Sequence, residues 1–305
     1  MTKRVLIIFF IAFSYVNSNA QIDNLKIEID SLIKNKNATV GVSVIANNFK
    51  DTINIHGNLH YPMLSVFKFP IALAVLSEVD KGNFKLNQEI NISSKDLLPD
   101  TWSPIREKFP HGTTMTIADI TKYTVAQSDN NGCDILLRLL GSTATVEAFL
   151  LQHQVTDISI KVNEEDMHKE WDIQYQNWAT PIALTNLLTK FYTNDKILSK
   201  ESYEFLWKIM VETETGTDRL KGQLPTGTIV AHKTGTSFTD NKNVTAATND
   251  IGIIILPNGN PIFISVLVSN SKEDSKTNEK IISDIAKKIW DYVVQKISTD
   301  TIRSI

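Results

Sequence analysis

An α+β fold, in which an antiparallel sheet is flanked by N- and C-terminal helices and joined to an all-helical lobe, follows from three features of this chain. Strand-like alternation is confined to the two ends, and helix-like periodicity fills the middle. Neighbouring strands are joined by links too short for a parallel crossover. Such a layout puts the chain ends in one layer and the centre in another, with a cleft between them as the place for a site.

The first 20 residues stand apart from this layout. Lys3 and Arg4 are followed by nine apolar residues, Val5 to Phe13, and by the small-x-small end Ser18-Asn19-Ala20. That is the pattern of a secretory signal peptide, with cleavage expected after Ala20. The apolar run is about half the ~20 residues a spanning helix needs. No cysteine adjoins the cleavage point and no later stretch reads as a membrane span. A periplasmic or secreted protein without a stable membrane anchor is expected. Residues 21–305 then read as one domain, with an α/β lobe from 21–60 and 223–305 and a helical lobe from 61–222.

Ile22, Leu25, Ile29 and Leu32 are spaced 3, 4 and 3, an apolar stripe that predicts a helix over 22–36. Residues 40–46 and 52–56 alternate and predict two strands joined by a polar turn at 47–50. An apolar helix is expected over Ser65 to Val79, where Pro70 is tolerated in an early turn. Residues 116–222 look mostly helical, apart from a polar loop around 163–177. Strands return at 229–236, 252–256 and 262–268, the last two bridged by the turn Pro257-Asn258-Gly259. A final helix over 278–297 closes the chain.

Composition sets the outer limits. The 305 residues are 42% hydrophobic and 21% charged, which suits a folded core and excludes a disordered chain. With a formal charge of −3 and no basic run, nothing points to nucleic acid. The single cysteine, Cys133, excludes an intramolecular disulfide, and it reads as a packed core thiol. The six histidines (His56, His60, His111, His153, His168 and His232) show no metal-binding spacing, so neither metal nor other cofactor is expected.

The chemistry begins at Ser65-Val-Phe-Lys68. Residues i and i+3 share a helix face, so the Lys68 ammonium can sit beside the Ser65 hydroxyl, a weak nucleophile without such a neighbour. The same S-x-x-K spacing recurs at Ser31-Lys34 and Ser269-Lys272, but only the Ser65 copy opens an apolar helix. Ser128-Asp129-Asn130 lies between two helical blocks, and Lys233-Thr234-Gly235 lies on a strand; each occurs once. Taken singly, the former reads equally as a helix cap and the latter as a strand ending in a turn. The three in this order, each on the element its chemistry needs, point to serine acyl transfer.

This order resembles the serine β-lactamases of class A and the penicillin-binding proteins across the chain beyond residue 20. The stretches FKFPIALAVLSE, LLPDTWSPI, SDNNGCDILL, YQNW, VETETGTDRLKGQLP and GTIVAHKTGTS resemble the PER-type and CfxA-type branch of class A, which hydrolyses cephalosporins. The resemblance implies that Ser65 attacks the β-lactam carbonyl with Lys68 assisting, and that Ser128 relays a proton to the ring nitrogen. It implies that Asn130 positions the substrate's amide arm, and that Lys233, Thr234 and Gly235 form the carboxylate-binding strand. It places the oxyanion between the backbone N–H groups of Ser65 and Thr236. Thr236 and Ser237 would extend the strand with hydroxyls, and Trp102 would stand at the pocket rim.

Glu164 separates hydrolysis from a stalled adduct, since a carboxylate must activate the deacylating water. Class A enzymes usually carry Glu-x-x-Leu-Asn in this loop; here it reads Glu164-Glu165-Asp166-Met167-His168, so His168 takes the Asn position. Glu165 and Asp166 are read as solvated charges. The arginine often found on the strand after K-T-G is missing, and Arg219 is expected to supply that charge from a neighbouring helix. The leading expectation is thus a secreted, monomeric class A enzyme with β-lactams as substrates. The alternatives are a D-alanyl-D-alanine peptidase or penicillin-binding protein of the same fold, and a β-lactam sensor that acylates without turnover.

Overall fold

The apolar stripe near the start buries Leu25, Ile29 and Ile33 on helix α1, residues 21–33. The computed structural model describes residues 21–46, 48–193 and 197–303. The expected signal peptide, residues 1–20, lies outside them, as does Asn47 of the expected 47–50 turn. Strands β1 (Thr39–Ala46) and β2 (Asp51–Ile55) follow, then the two-residue β3 (Tyr61–Pro62). A 3-10 turn, Leu64–Phe67, leads into α2 (Lys68–Asp80), so the helix expected from Ser65 starts in tighter form.

The middle of the chain holds β4 (Glu89–Ser93), α3 (Pro104–Lys108), β5 (Gly112–Thr116), α4 (Ile117–Ala126), α5 (Asn130–Leu140) and α6 (Thr143–Gln152). Next come β6 (Ile158–Ser159), α7 (Glu164–Met167), β7 (Trp178–Ala179), α8 (Pro181–Thr193) and α9 (Lys200–Val211). The expected polar loop at 163–177 therefore contains a one-turn helix, and a 3-10 segment follows at Trp171–Gln176. The chain ends with β8 (Val230–Thr236), β9 (Thr245–Ile255), β10 (Pro261–Ser271) and α10 (Ser275–Arg303). β9 begins seven residues before the expected 252, and α10 is longer than the expected 278–297 at both ends.

The main sheet has five strands in the order β2-β1-β10-β9-β8, and every neighbouring pair is antiparallel. Strands from the two ends of the chain pair directly, Val42 opposite Val266. Alternation along β10 sends Ile262, Ile264, Val266 and Val268 to one face, where they pack with α1 and α10 through Ile29, Ile285 and Ile289. Phe263 and Leu267 point the other way, into a larger core shared with α2, α5 and α8 through Leu73, Leu136 and Leu187. β8 is one of the two edge strands, and its open edge faces the start of α2. Gly235 is needed there: a Cβ would lie 2.3 Å from the Met63 carbonyl oxygen, so only glycine lets the strand approach the Ser65 turn so closely.

Candidate active site

Ser65 sits in the 3-10 turn, and Lys68, the first residue of α2, is completely buried behind it. Lys68 Nζ donates to Ser65 Oγ at 2.9 Å, to the Ser128 carbonyl oxygen at 2.9 Å and to Asn130 Oδ1 at 2.5 Å. Glu164 Oε1 is 2.7 Å from the same nitrogen. That contact lies off the hydrogen-bonding direction, and Glu164 Oε1 is a buried oxygen with no hydrogen bond. Four oxygens thus surround a group with three N–H donors, and Glu164 Oε1 is the one left without a hydrogen bond.

The other two motifs arrive at the same place. Lys233, fully buried on β8, donates to Ser128 Oγ at 2.9 Å and to the Thr234 carbonyl at 3.0 Å. Burial, with the Lys68 charge nearby, pushes the Lys233 pKa well below the usual lysine value. Ser128 takes a left-handed backbone conformation (φ +61°), in which its carbonyl meets Lys68 and its hydroxyl meets Lys233. Asp129 is more than a helix cap. Its buried carboxylate accepts from Gly132 N–H (2.8 Å), Ile105 N–H (2.7 Å) and the Ser103 hydroxyl (3.0 Å), tying the 103–105 segment to the S-D-N turn. Asn130 completes this wall by donating to Thr101 Oγ1 at 2.6 Å.

Glu164 is carried by α7, and the residue that forms α7 was not singled out in the sequence. Asp134, on α5, accepts the backbone N–H of Glu164 at 2.8 Å with one carboxylate oxygen and that of Glu165 at 2.9 Å with the other. Burial, with the Glu164 charge adding to it, raises the Asp134 pKa to about 6. Asn163 caps the same turn through Asp166 N–H. His168 donates from Nδ1 to the Glu164 carbonyl oxygen at 2.7 Å, so it braces the turn's backbone rather than the Glu164 side chain. Glu165 is exposed, as expected.

Arg219 lies in a turn rather than a helix and is 5% exposed, so it is no surface arginine. It donates to the Gly235 and Asn249 carbonyls at 3.2 and 3.0 Å and to Thr236 Oγ1 at 2.8 Å, with Glu279 as its ion-pair partner at 3.3 Å. Thr234 meets Thr215, hydroxyl to hydroxyl, at 2.6 Å. Ser237 N–H donates to the Ala247 carbonyl, so by the alternation of an antiparallel ladder the Thr236 N–H points away from β9, toward the open edge. The Ser237 hydroxyl donates to the Phe238 carbonyl and accepts from Ala247 N–H, so it is engaged within its own wall.

Ser65, Ser128, Asn130, Glu164, Arg219, Thr234, Thr236 and Ser237 line one cavity of about 550 Å³ between β8, the Ser65 turn and α7, and the two lysines are buried outside its lining. Trp102 stands at its rim, 54% exposed and anchored by its indole N–H to the Gln127 carbonyl at 2.9 Å. Phe238, 76% exposed and edge-on to His168, lines the same mouth. A lone exposed phenylalanine carries no spacing signal, which is why the sequence did not mark it. Ser31 and Ser269, the other S-x-x-K serines, lie on α1 and β10 away from this cavity. Cys133 is a buried core thiol. Among the described residues no cluster of three or more metal-ligating side chains occurs, and no helix is long and apolar enough to cross a membrane.

A serine with a buried amine at its hydroxyl, a second serine on a second amine and a carboxylate beside the first amine make up the machinery of a serine acyl-transfer hydrolase. Comparison narrows the class. Residues 24–293 match the β-lactamase enzyme family. The chain is 59% identical to β-lactamase VEB-1 of Pseudomonas aeruginosa, covering 97% of this chain and 99% of that protein. It is 39% identical to the extended-spectrum β-lactamase PER-1 of the same organism, covering 94% and 93%. The crystal structure of the TLA-3 extended-spectrum β-lactamase superposes with a TM-score of 0.88 at 52% identity, over 89% of this chain and 99% of that one. The chain belongs to the class A β-lactamases and is a β-lactam-hydrolysing enzyme.

Proposed function

We propose that this enzyme opens the β-lactam amide of cephalosporins and penicillins through a Ser65 acyl-enzyme, and that Glu164 drives its hydrolysis. The observation that carries the reading is the position of Lys68 Nζ, 2.9 Å from Ser65 Oγ and 2.7 Å from Glu164 Oε1. The Ser65 hydroxyl proton passes to this Lys68–Glu164 pair as Oγ attacks the lactam carbonyl. Negative charge on the carbonyl oxygen is met by the N–H groups of Ser65 and Thr236. As the C–N bond breaks, Ser128, held between the two lysines, delivers a proton to the ring nitrogen. Water then loses a proton to Glu164 and attacks the ester, and Ser65 leaves with a proton restored to its oxygen.

Lys233, Thr234 and Arg219 take the substrate carboxylate, while Asn130 holds the amide arm and Trp102 flanks the ring system. The extended-spectrum names of the relatives and the volume of the cavity favour cephalosporins with large acyl arms. Residues 21–305 act as a monomeric catalytic domain, exported by a signal peptide cleaved near Ala20. A penicillin-binding protein or sensor reading is disfavoured by Glu164, which both would leave idle. The test is turnover of a chromogenic cephalosporin with intact mass taken at steady state. Many turnovers per enzyme are expected, with no adduct on Ser65→Ala; one stoichiometric burst with a lasting adduct would overturn the reading.

A further inference from the structure

His232 is one of the histidines whose spacing carried no signal, yet the fold gives it a partner beneath the carboxylate-binding end of the cleft. It is fully buried on β8, next to Lys233, and its Nδ1 lies 3.0 Å from both oxygens of Asp250 on β9, itself fully buried. A carboxylate accepts, so Nδ1 carries the proton. The other ring nitrogen, Nε2, is buried without a partner. Replacing a buried polar pair with apolar side chains is often neutral or stabilising, so stability alone does not account for this one.

The pair's other contacts lead to the site. Asp250 Oδ2 also accepts the backbone N–H of Leu220 at 3.2 Å, while the carbonyl of its neighbour Asn249 accepts from the Arg219 guanidinium at 3.0 Å. Two consecutive residues of β9 thus grip two consecutive residues of the turn that carries Arg219. Thr213 Oγ1 donates to the His232 carbonyl at 2.9 Å, fastening the start of the same turn to β8. Thr234 pairs with Asp250 across the ladder, and its hydroxyl meets Thr215 of that turn.

We propose that His232 and Asp250 are positioning residues for the carboxylate subsite: His232 orients the Asp250 carboxylate, and Asp250 holds the Leu220 backbone so that Arg219 and Thr234 face the substrate carboxylate together. The inference rests on the assignment of Lys233, Thr234 and Arg219 to that carboxylate. It predicts an effect on one part of the substrate only, which a general loosening of the fold would not produce.

The experiment compares a cephalosporin carrying its free carboxylate with the methyl ester of the same compound. His232→Leu should raise KM for the acid about tenfold or more while kcat stays within about threefold, and KM for the ester should move by less than about threefold. His232→Asn places an N–H donor where Nδ1 stands and should return the acid to within about threefold of the wild type. Equal losses for acid and ester, or an Asn variant as poor as the Leu variant, would overturn the proposal. If His232→Leu does not fold, Asp250→Asn decides the matter on the same acid-to-ester ratio. It keeps the side chain's shape but sets an NH₂ group in place of one carboxylate oxygen, so the His232 Nδ1–H is no longer shared between two acceptors. A wild-type enzyme that turns over neither compound would sink the proposed function itself, whereas normal wild-type turnover with an unchanged ratio in the variants would sink this inference alone.

Discussion

The two walls of the cleft each bury a lysine, and they keep it in opposite ways. On the helical wall Lys68 has a carboxylate 2.7 Å away and three further oxygens within 2.9 Å. On the sheet wall the hydrogen bonds of Lys233 go to a hydroxyl and a carbonyl, and burial beside Lys68 pushes its pKa down. A cation that already has an anion of the protein beside it can pass a proton with little change in net charge. A cation desolvated without one gains from any anion the substrate brings. In the proposed function the helical wall serves chemistry and the sheet wall recognition, with Ser128 touching both.

Removing the anion from the helical wall is the most severe way to break this contrast. Glu164→Gln should leave acylation measurable but slow deacylation by about 10²–10⁴-fold, seen as an adduct that accumulates on Ser65 in intact mass spectra. An enzyme that still turns over normally would place the water's base elsewhere. On the sheet wall, Lys233→Ala should cost about 2–3 kcal/mol in kcat/KM, or roughly 30- to 150-fold, mostly through KM. A loss confined to kcat would mean that Lys233 serves the proton path and not the carboxylate.

The smallest effect on turnover concerns the support beneath Glu164. Asp134 is held in the folded state at about 6, above the value of a free carboxyl. It therefore favours the folded state most fully below about pH 4, and that contribution fades as pH rises through 6. Asn cannot titrate, so the melting-temperature advantage of the wild type over Asp134→Asn should be larger at about pH 4 than at neutrality, by at most about 3 kcal/mol of stability. An advantage that does not vary with pH would show that Asp134 is not the titrating group.

What could be read from the chain depended on the reach of each interaction. Ser65 and Lys68 are one turn apart, the S-D-N residues are adjacent, and Lys233 to Gly235 lie on one strand, so local order was enough to find them. The alternation in β1 and β10 was equally plain because each strand has Val or Ile facing a core. β9 was recognised only from Gly252 because Thr245 to Asp250 are small or polar and show no apolar alternation. They are strand because they pair with β10 and β8, and their polar side chains find partners far away in sequence, Asn249 donating to the Pro62 carbonyl and Asp250 accepting from Leu220. Asp134 and the one-turn helix it builds were hidden for the same reason: their hydrogen bonds span 30 and 31 residues. Arg219 was found only through the family likeness, and its actual seat in a turn, against two carbonyls, had no local sign.

The open edge of β8 has one more consequence. An unpaired sheet edge is a template on which another extended chain can add, and soluble proteins usually have to blunt it. Here the Ser65 turn is packed against that edge at Gly235 and covers it there. In the proposed function, a substrate that lays an amide along Thr236 and Ser237 fills the place a sixth strand would take. On that reading, the edge that the Ser65 turn covers at Gly235 is also the edge that takes the antibiotic.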